Sequence, residues 1–548
     1  MYLGDECATD ADRIAVNLGS GGVGVVPPAV SGPGAGGFPW IPGMQEESAG
    51  PRPGFLRTQL QARILILTVC AAGIGGTFQY GYNLTIINAP TMHIQKFVNQ
   101  TWLKRTGLAL ESKMVTLIWS FIVSVYPLGG LIGALLAGPM AIKLGRKKSL
   151  LLNNFFVIIA ALLSGFSRSA NSFEMIALGR VFAGINSGVS MNIQPMYLGE
   201  SAPKKLRGAV ALTSASFTAF GLVMGQVIGL REILGSEEDW PVLLASNAVP
   251  SVLQLIALPW LPESPRYLLI DQGDMESCMS ALQRLRGSDN LSSEMEEMLA
   301  EQAALKGRRA RRLWDLFRDP SLRWQLMTII VLSSAMQLCG NDSMYFYASY
   351  VFQEAGISYE KIQYVVIGTG CCELLTSITC NLFIERVGRK ALVLGGYSLM
   401  SVWAIIFMVA LSQQDRISWM PYLSMACIFA YILSFGIGPA GVTGIMPTEI
   451  FDQLSRPAAY MICGSIIWLM LSVVGLLFPF ILAGLGHFCF VPFFTVCVCT
   501  SVYVGFFLPE TKGKSLLEIT EEFKQRNFRA PTRAHSWKGP AEIKCTML

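Results

Sequence analysis

The sequence predicts an all-α membrane protein of twelve transmembrane helices, arranged as two six-helix halves with a helical linker between them on the inner side. Three observations carry that expectation. The chain is 52% hydrophobic and only 14% charged over 548 residues, where a soluble protein carries roughly 25% charged residues. Its apolar stretches have the length of membrane helices. Its charged motifs occur twice, half a chain apart.

A helix crossing ~30 Å of hydrocarbon needs ~20 apolar residues, and a charge at its centre is costly. Stretches free of Lys, Arg, Asp and Glu run over 64–95, 114–142, 149–167, 181–199, 208–230, 240–262, 391–414 and 417–448. Stretch 457–509 is long enough for two helices, with a turn from Gly484 to His487. Two further spans, 324–353 and 362–384, each carry one acid, Asp342 and Glu373. The glycines of the tenth span (Gly436, Gly438, Gly441, Gly444), with Pro439 among them, make that helix breakable.

Lys and Arg collect on the inner side of membrane proteins. Gly145-Arg146-Lys147-Lys148, Lys204-Lys205-Leu206-Arg207, Arg308–Arg312 and Glu385–Lys390 fall after spans 2, 4, 6 and 8. Those connections are therefore expected to be cytoplasmic, with both termini inside. The loop after span 1 then faces outward, and it carries Asn99-Gln100-Thr101, an N-glycosylation triplet.

Arg146 recurs as Arg389, Glu200 and Arg207 recur as Glu449 and Arg456, and Pro262-Glu263-Ser264-Pro265-Arg266 recurs as Pro509-Glu510-Thr511-Lys512-Gly513. Three steady offsets imply a duplicated unit, and two membrane-buried halves are the architecture of a transporter that holds its cargo between them. The expected organisation is a disordered tail over 1–58, a first half over 59–262, linker helices over 263–323, a second half over 324–510 and a tail over 511–548. Residues 1–56 hold 12 Gly and 7 Pro and no capacity for a core. Residues 263–323 hold 21 charges, yet Met275, Cys278, Met279, Leu282 and Leu285 keep helical spacing.

Paired arginines and glutamates at inner helix ends suit a gate, because Arg makes bidentate bonds to carboxylates that form and break as the halves rock. Arg146, Glu200, Arg207, Glu385, Arg389, Glu449, Arg456, Glu263 and Arg266 are the candidates. Ten of the thirteen cysteines fall in apolar stretches, and His93, His487 and His535 are scattered. No metal site, cofactor motif, nucleic-acid stripe or nucleophile–base pair is expected, so the chain does not read as an enzyme.

The ordered motifs Phe78–Asn83, Gly145–Lys148, Gly179-Arg180, Pro195–Glu200, Pro262–Arg266, Glu385–Lys390, Arg456–Ala459 and Pro509–Gly513 resemble the facilitative hexose transporters, the sugar porter branch of the major facilitator superfamily. The likeness covers roughly residues 60–525, with features of the fructose-type class. It implies uniport of fructose and/or glucose by alternating access in a plasma membrane, with a hexose and the lipid bilayer as partners. It also implies a sugar site of Gln337, Asn341, Asp342, Glu373, Asn83, Gln226, Trp468 and Gly444. By that likeness the fifth-helix glutamine is Ala215, the seventh-helix asparagine is Asp342 and the eighth-helix asparagine is Glu373. The tenth-helix glutamate and tryptophan are Gly436 and Gly444, which leaves a roomier site. From the residues alone, Gln337, Asn341 and Tyr345 form one polar stripe, and Asn192, Gln194, Thr213, Ser214, Ser216 and Thr218 are further candidates. A non-transporting sugar receptor, or a carrier of another cargo such as an organic anion, stays open at this stage.

Asn83 stands where proton-linked members of the family carry aspartate, which points to uniport. Hexose uptake measured across a range of pH gradients is then expected to be insensitive to the gradient, in the wild-type protein and in Glu373→Gln alike. A strong pH dependence that disappears in Glu373→Gln would contradict uniport.

Overall fold

Hydrocarbon offers no partner to the backbone, so an apolar span closes its own hydrogen bonds as a helix. The computed structural model describes residues 53–286, 291–305, 311–342, 352, 357–413, 416–514 and 516–527, and all its regular elements are helical. The expected N-terminal tail up to Arg52 and the polar-stripe residue Tyr345 lie outside the described residues.

In the first half, α1 (Pro53–Gly75) and α2 (Thr77–Thr85) make the first span, followed by α3 (Thr91–Thr106). Then come α4 (Ser112–Leu144), α5 (Arg146–Phe166), α6 (Glu174–Ser201) and α7 (Arg207–Ile228). Helices α8 (Trp240–Ala245) and α9 (Ala248–Ala257) complete the sixth span. The linker contains α10 (Met275–Arg286), α11 (Ser292–Leu305) and α12 (Leu313–Arg318). The second half follows with α13 (Arg323–Leu338), α14 (Tyr359–Val387), α15 (Arg389–Gln413), α16 (Met420–Ile437), α17 (Pro439–Ile450), α18 (Arg456–Leu485) and α19 (Val491–Phe507). A last helix, α20, covers Leu516–Asn527.

Among the described residues, each of the twelve expected spans falls on helix. Among the described residues, nine are long and apolar enough to cross a membrane. Of the rest, α6 is long but richer in polar side chains, α13 stops near the end of a described stretch, and α19 has 17 residues. The chain is an integral membrane protein.

Four boundaries differ from expectation. The first span is broken at Gly76 and ends at Thr85, because Pro90 disfavours helix in the residue before it and starts α3 as a separate element. A count of charges alone joins these elements as one stretch, 64–95. The first helix begins at Pro53, inside the expected tail. The second tail contains α20, whose Ile519 and Phe523 are buried in the main core. Asn99 lies within α3 rather than on a loop tip, and its Oδ1 accepts the Leu110 N–H at 3.1 Å.

The break expected in the tenth span is present. Gly438 adopts φ −152° and ψ −53° between α16 and α17, where any Cβ would collide with the Leu392 carbonyl. Helices α4 and α6 approach backbone to backbone: a Cβ on Gly129 or Gly133 would strike the carbonyls of Val181 and Ile185. Small residues allow such contact where lipid supplies no hydrophobic drive between helices.

The linker has its own small core of Leu269, Cys278, Leu282, Leu291, Met295 and Met298. Leu282 is fully buried there. Leu282→Ala is expected to cost about 2–5 kcal/mol locally. Limited proteolysis should then cut α10–α11 several-fold faster; an unchanged cleavage rate would contradict this packing.

Candidate functional site

Between the halves lies a cavity of ≈ 930 Å³, solvent at its mouth included. Its wall comes from the first half through α2, α6 and α7 and from the second through α13, α14, α16, α17 and α18. Trp468 on α18 is fully buried, with its ring edge-on to Tyr80 (5.4 Å) and Tyr126 (5.6 Å), so two aromatic contacts from the first half fix it. Its indole Nε1–H has no acceptor in the protein. Gln337 Oε1, Asp342 Oδ2 and Ser214 Oγ are likewise buried on this wall without a hydrogen-bond partner in the protein. Buried polar atoms cost free energy unless bonded. Their convergence on one cavity suits a ligand rich in hydroxyls, with apolar surface between the bonds.

Of the expected site residues, the structure brings together Gln337, Asp342, Glu373, Trp468 and Gly444. A Cβ at Gly444 would meet nothing within 4 Å, so the missing side chain is open volume. Gly436 adds no such room, because a Cβ there would strike Thr376 Oγ1. Three expected residues do not line the cavity. Asn341 is buried beside it, and Gln226 lies against Gly370 on α14. Asn83 is tied into the first half, donating to Gln79 O at 2.9 Å and accepting from Asn247 at 3.1 Å. A stripe or a family position specifies the helix, while the rotation and packing of that helix decide which side chain faces the cavity.

Among the weaker candidates, Asn192, Ser214 and Thr218 do line it. Gln194 instead accepts the Thr77 N–H at 2.5 Å and bridges the break in the first span. Tyr80 was not singled out from the sequence as a cavity residue; its place inside the motif Phe78–Asn83 was the available signal.

At the end where the charged motifs gather, the two halves repeat one arrangement. Gly145 (φ +87°) and Gly388 (φ +99°) start α5 and α15 in a backbone region that favours glycine. Glu263 then accepts the backbone N–H groups of Arg146 (3.2 Å) and Lys147 (2.9 Å), and Glu510 those of Arg389 (2.9 Å) and Lys390 (3.0 Å). Glu263 is thus an N-terminal helix cap rather than a gating ion-pair partner. Burial pushes its carboxyl up, with the Lys147 and Ser264 N–H groups pulling the other way.

Arg146 embraces Glu200, with Nη2 donating to Oε1 at 3.1 Å and Nε 2.9 Å from Oε2. It also reaches Asp271 at 2.9 Å, whose carboxyl burial pushes up against the pull of Arg146. In the second half Arg389 reaches Glu449 through Nε at 2.8 Å and turns its fork onto Glu385 at 2.9 and 3.0 Å. Three of the contacts at this end cross between halves. Glu200 Oε1 receives Gln453 Nε2 at 3.1 Å and lies 3.4 Å from Arg456 Nη1, while Glu385 receives the Ala209 N–H at 3.3 Å. Two expected gate residues do otherwise. Arg266 pairs with Glu301 and Glu297 of the linker, and among the described residues Arg207 forms no ion pair. Gln453 escaped the sequence reading because it is uncharged and has no repeated counterpart among the motifs.

Residues 67–523 match the profile of the family described as "Sugar (and other) transporter". The chain belongs to that family. It is 63% identical over 493 residues to the human protein named solute carrier family 2, facilitated glucose transporter member 11, covering 90% of this chain and 99% of that one. It is 44% identical over 464 residues to human facilitated glucose transporter member 5, covering 85% and 93%. Among solved structures it is similar to the proton:xylose symporter XylE bound to 6-bromo-6-deoxy-D-glucose, with TM-score 0.74, 22% identity and coverage of 84% and 100%. It is also similar to the inward-open form of XylE from E. coli, with TM-score 0.62, 20% identity and coverage of 84% and 99%. These likenesses show the major facilitator fold, and the chain is a sugar transporter by family.

In this sugar transporter a buried carboxylate at the charged end is shared between the halves. Removing one partner of such a buried pair costs about 3–5 kcal/mol because the other charge is left short of compensation. Arg456→Ala should therefore favour opening at that end. Cys463, buried on the cavity wall, reports it: maleimide applied from the charged side should label Cys463 at least tenfold faster in Arg456→Ala. Equal labelling rates would contradict a latch at Glu200.

Proposed function

We propose that this chain carries hexoses, fructose and/or glucose, across a membrane as a facilitative uniporter working by alternating access. The observation that carries this is a cavity built by both halves, with unpartnered buried polar atoms on its wall and a shared ion-pair latch at one end. Rocking the halves about that cavity would expose it to each side in turn, with the break at Gly438 letting α16 and α17 move locally. The relatives named facilitated glucose transporters support a hexose as cargo. Asn83 supports uniport, since an amide held by Gln79 and Asn247 does not take up and release a proton. The open volume at Gly444 favours a fructose-type preference.

The side-chain roles, the domain boundaries and the orientation belong to the same proposal: the charged end and both termini face the cytoplasm, the membrane is the plasma membrane, and Asn99 on the outer side carries a glycan. The deciding experiment is exchange of labelled fructose, and separately glucose, by the purified chain in proteoliposomes without an ion gradient. Saturable exchange of either sugar is expected. A folded protein that exchanges neither would overturn the proposal.

A further inference from the structure

The linker turns the aromatic face of one small helix outward. Among the described residues, its exposed large hydrophobic side chains are Met275, Trp314 and Phe317, and the last two belong to α12. Leu316 is fully buried and Leu313 packs on the same core, so the inner face of α12 is taken up by the protein. The Arg311 N–H donates to the Leu454 carbonyl at 3.0 Å, and the Arg311 side chain holds Asp319 at 2.6 Å, which pins the helix at both ends. Trp314 (69% exposed), Phe317 (48%) and Arg318 stand at i, i+3 and i+4, one outward face, with the two rings 6.1 Å apart.

The same segment is basic. Residues 306–323 hold seven Lys and Arg against two acids, and 306–310 lie outside the described residues. Of the rest, Arg312, Arg318 and Arg323 are exposed and form no ion pair among the described residues. Both acids are engaged already: Asp319 by Arg311 and by the Ser321 N–H (2.9 Å), Asp315 by the Arg312 N–H (2.9 Å).

Position says what covers this face. Only residues 319–322 separate α12 from the start of the seventh span at Arg323, a reach of at most about 14 Å. At that start Trp324 stacks on Phe507 at 5.1 Å, and Tyr503 lies 5.3 Å from Phe507. Trp and Tyr gather where hydrocarbon meets headgroups, so α12 lies within a few residues of the membrane surface. A headgroup layer suits both parts of the face at once: the rings enter the acyl boundary while the guanidinium groups stay with the phosphates.

We propose that α12 is an interfacial anchor that docks on anionic phospholipid in the leaflet at the charged end. Trp314 and Phe317 enter the acyl boundary, and Arg312, Arg318 and Arg323 bind the headgroups. Arg makes bidentate bonds to phosphate and carboxylate. A zwitterionic surface offers the same apolar boundary without net charge, so selection for anionic lipid falls to the arginines.

The test reads Trp314 itself. The full chain is placed in nanodiscs of phosphatidylcholine, alone or with phosphatidylserine added. It is then exposed to hydroxyl radicals at matched dose, and oxidation of Trp314 is followed by mass spectrometry. Lipid over the ring excludes water and slows that oxidation. At ~0.1 M salt, where the Debye length is about 10 Å, Trp314 is expected to oxidise at least about threefold more slowly with phosphatidylserine than without. The difference should disappear at ~1 M salt, where that length is about 3 Å, and in the double variant Arg312→Gln/Arg318→Gln. Equal rates in the two bilayers overturn the inference, whether the ring is open to water, covered by lipid of any charge or covered by another protein chain. A difference that persists at high salt overturns recognition by charge, and one that persists in the double variant overturns the assignment to these arginines. If the double variant fails to fold, the lipid and salt comparisons on the wild-type protein decide.

Discussion

Glu200 has no exposed side-chain surface, and its charge is shared by arginines from opposite halves of the protein, Arg146 from its own and Arg456 from the other. A carboxylate in such a place is tolerable only while cations and donors surround it. The arrangement of side chains at the charged end depends on that requirement. Ser264 at 2.6 Å and Gln453 at 3.1 Å complete the shell. An ion pair of this kind adds little net stability compared with apolar packing, because desolvation offsets attraction. Its value is that two well-defined states differ by a few contacts, which suits a protein that has to reverse them in every cycle.

The duplicated halves use the same parts to unequal ends. Both place a glycine with positive φ before an arginine, and both cap the following helix with the glutamate of the third repeated motif. Among the described residues, only Glu200 bridges to an arginine across the interface. Glu449 stays within its own half, bonded to Arg389 and Thr511, and the corresponding crossing contact comes from Glu385 to a backbone N–H. The two sides of the latch therefore differ in strength, since a charge-assisted pair outweighs a single carboxylate–amide bond.

The cavity shows what membrane burial demands of polar groups. Several buried hydroxyls and amides here turn back onto a nearby carbonyl, as Thr85, Thr328 and Asn154 do. Gln337, Ser214, Trp468 and Asp342 instead keep atoms free of protein partners where both halves meet. Trp468 packs against Tyr80 and Tyr126, so the indole is rigid, and the open space at Gly444 lies on the same wall. Rigid aromatic surface beside unpaired polar atoms is a sound basis for recognising a compact polyol.

The spans, the duplication, the inner charge clusters and the breakable tenth helix were legible in the chain itself. Each rests on a local rule: charge is excluded from hydrocarbon, and a helix fails where Gly and Pro meet. Element ends were less legible. Pro90 and the break at Gly76 were invisible to a count of charges, and α20 is held by burial of Ile519 and Phe523 against distant helices. Among the gate residues, sequence identified the arginines and glutamates but not their partners. Glu263 became a cap, Arg266 joined the linker and Arg207 forms no ion pair among the described residues, because pairing depends on which helix ends meet in space. The site divides the same way. That Gln337, Asp342 and Glu373 lie in membrane helices follows from the sequence; that Asn83 and Gln226 turn away while Tyr80 and Ser214 turn in follows only from tertiary packing. Residue spacing sets the face of a helix, and only the neighbouring helices decide which face meets the cavity.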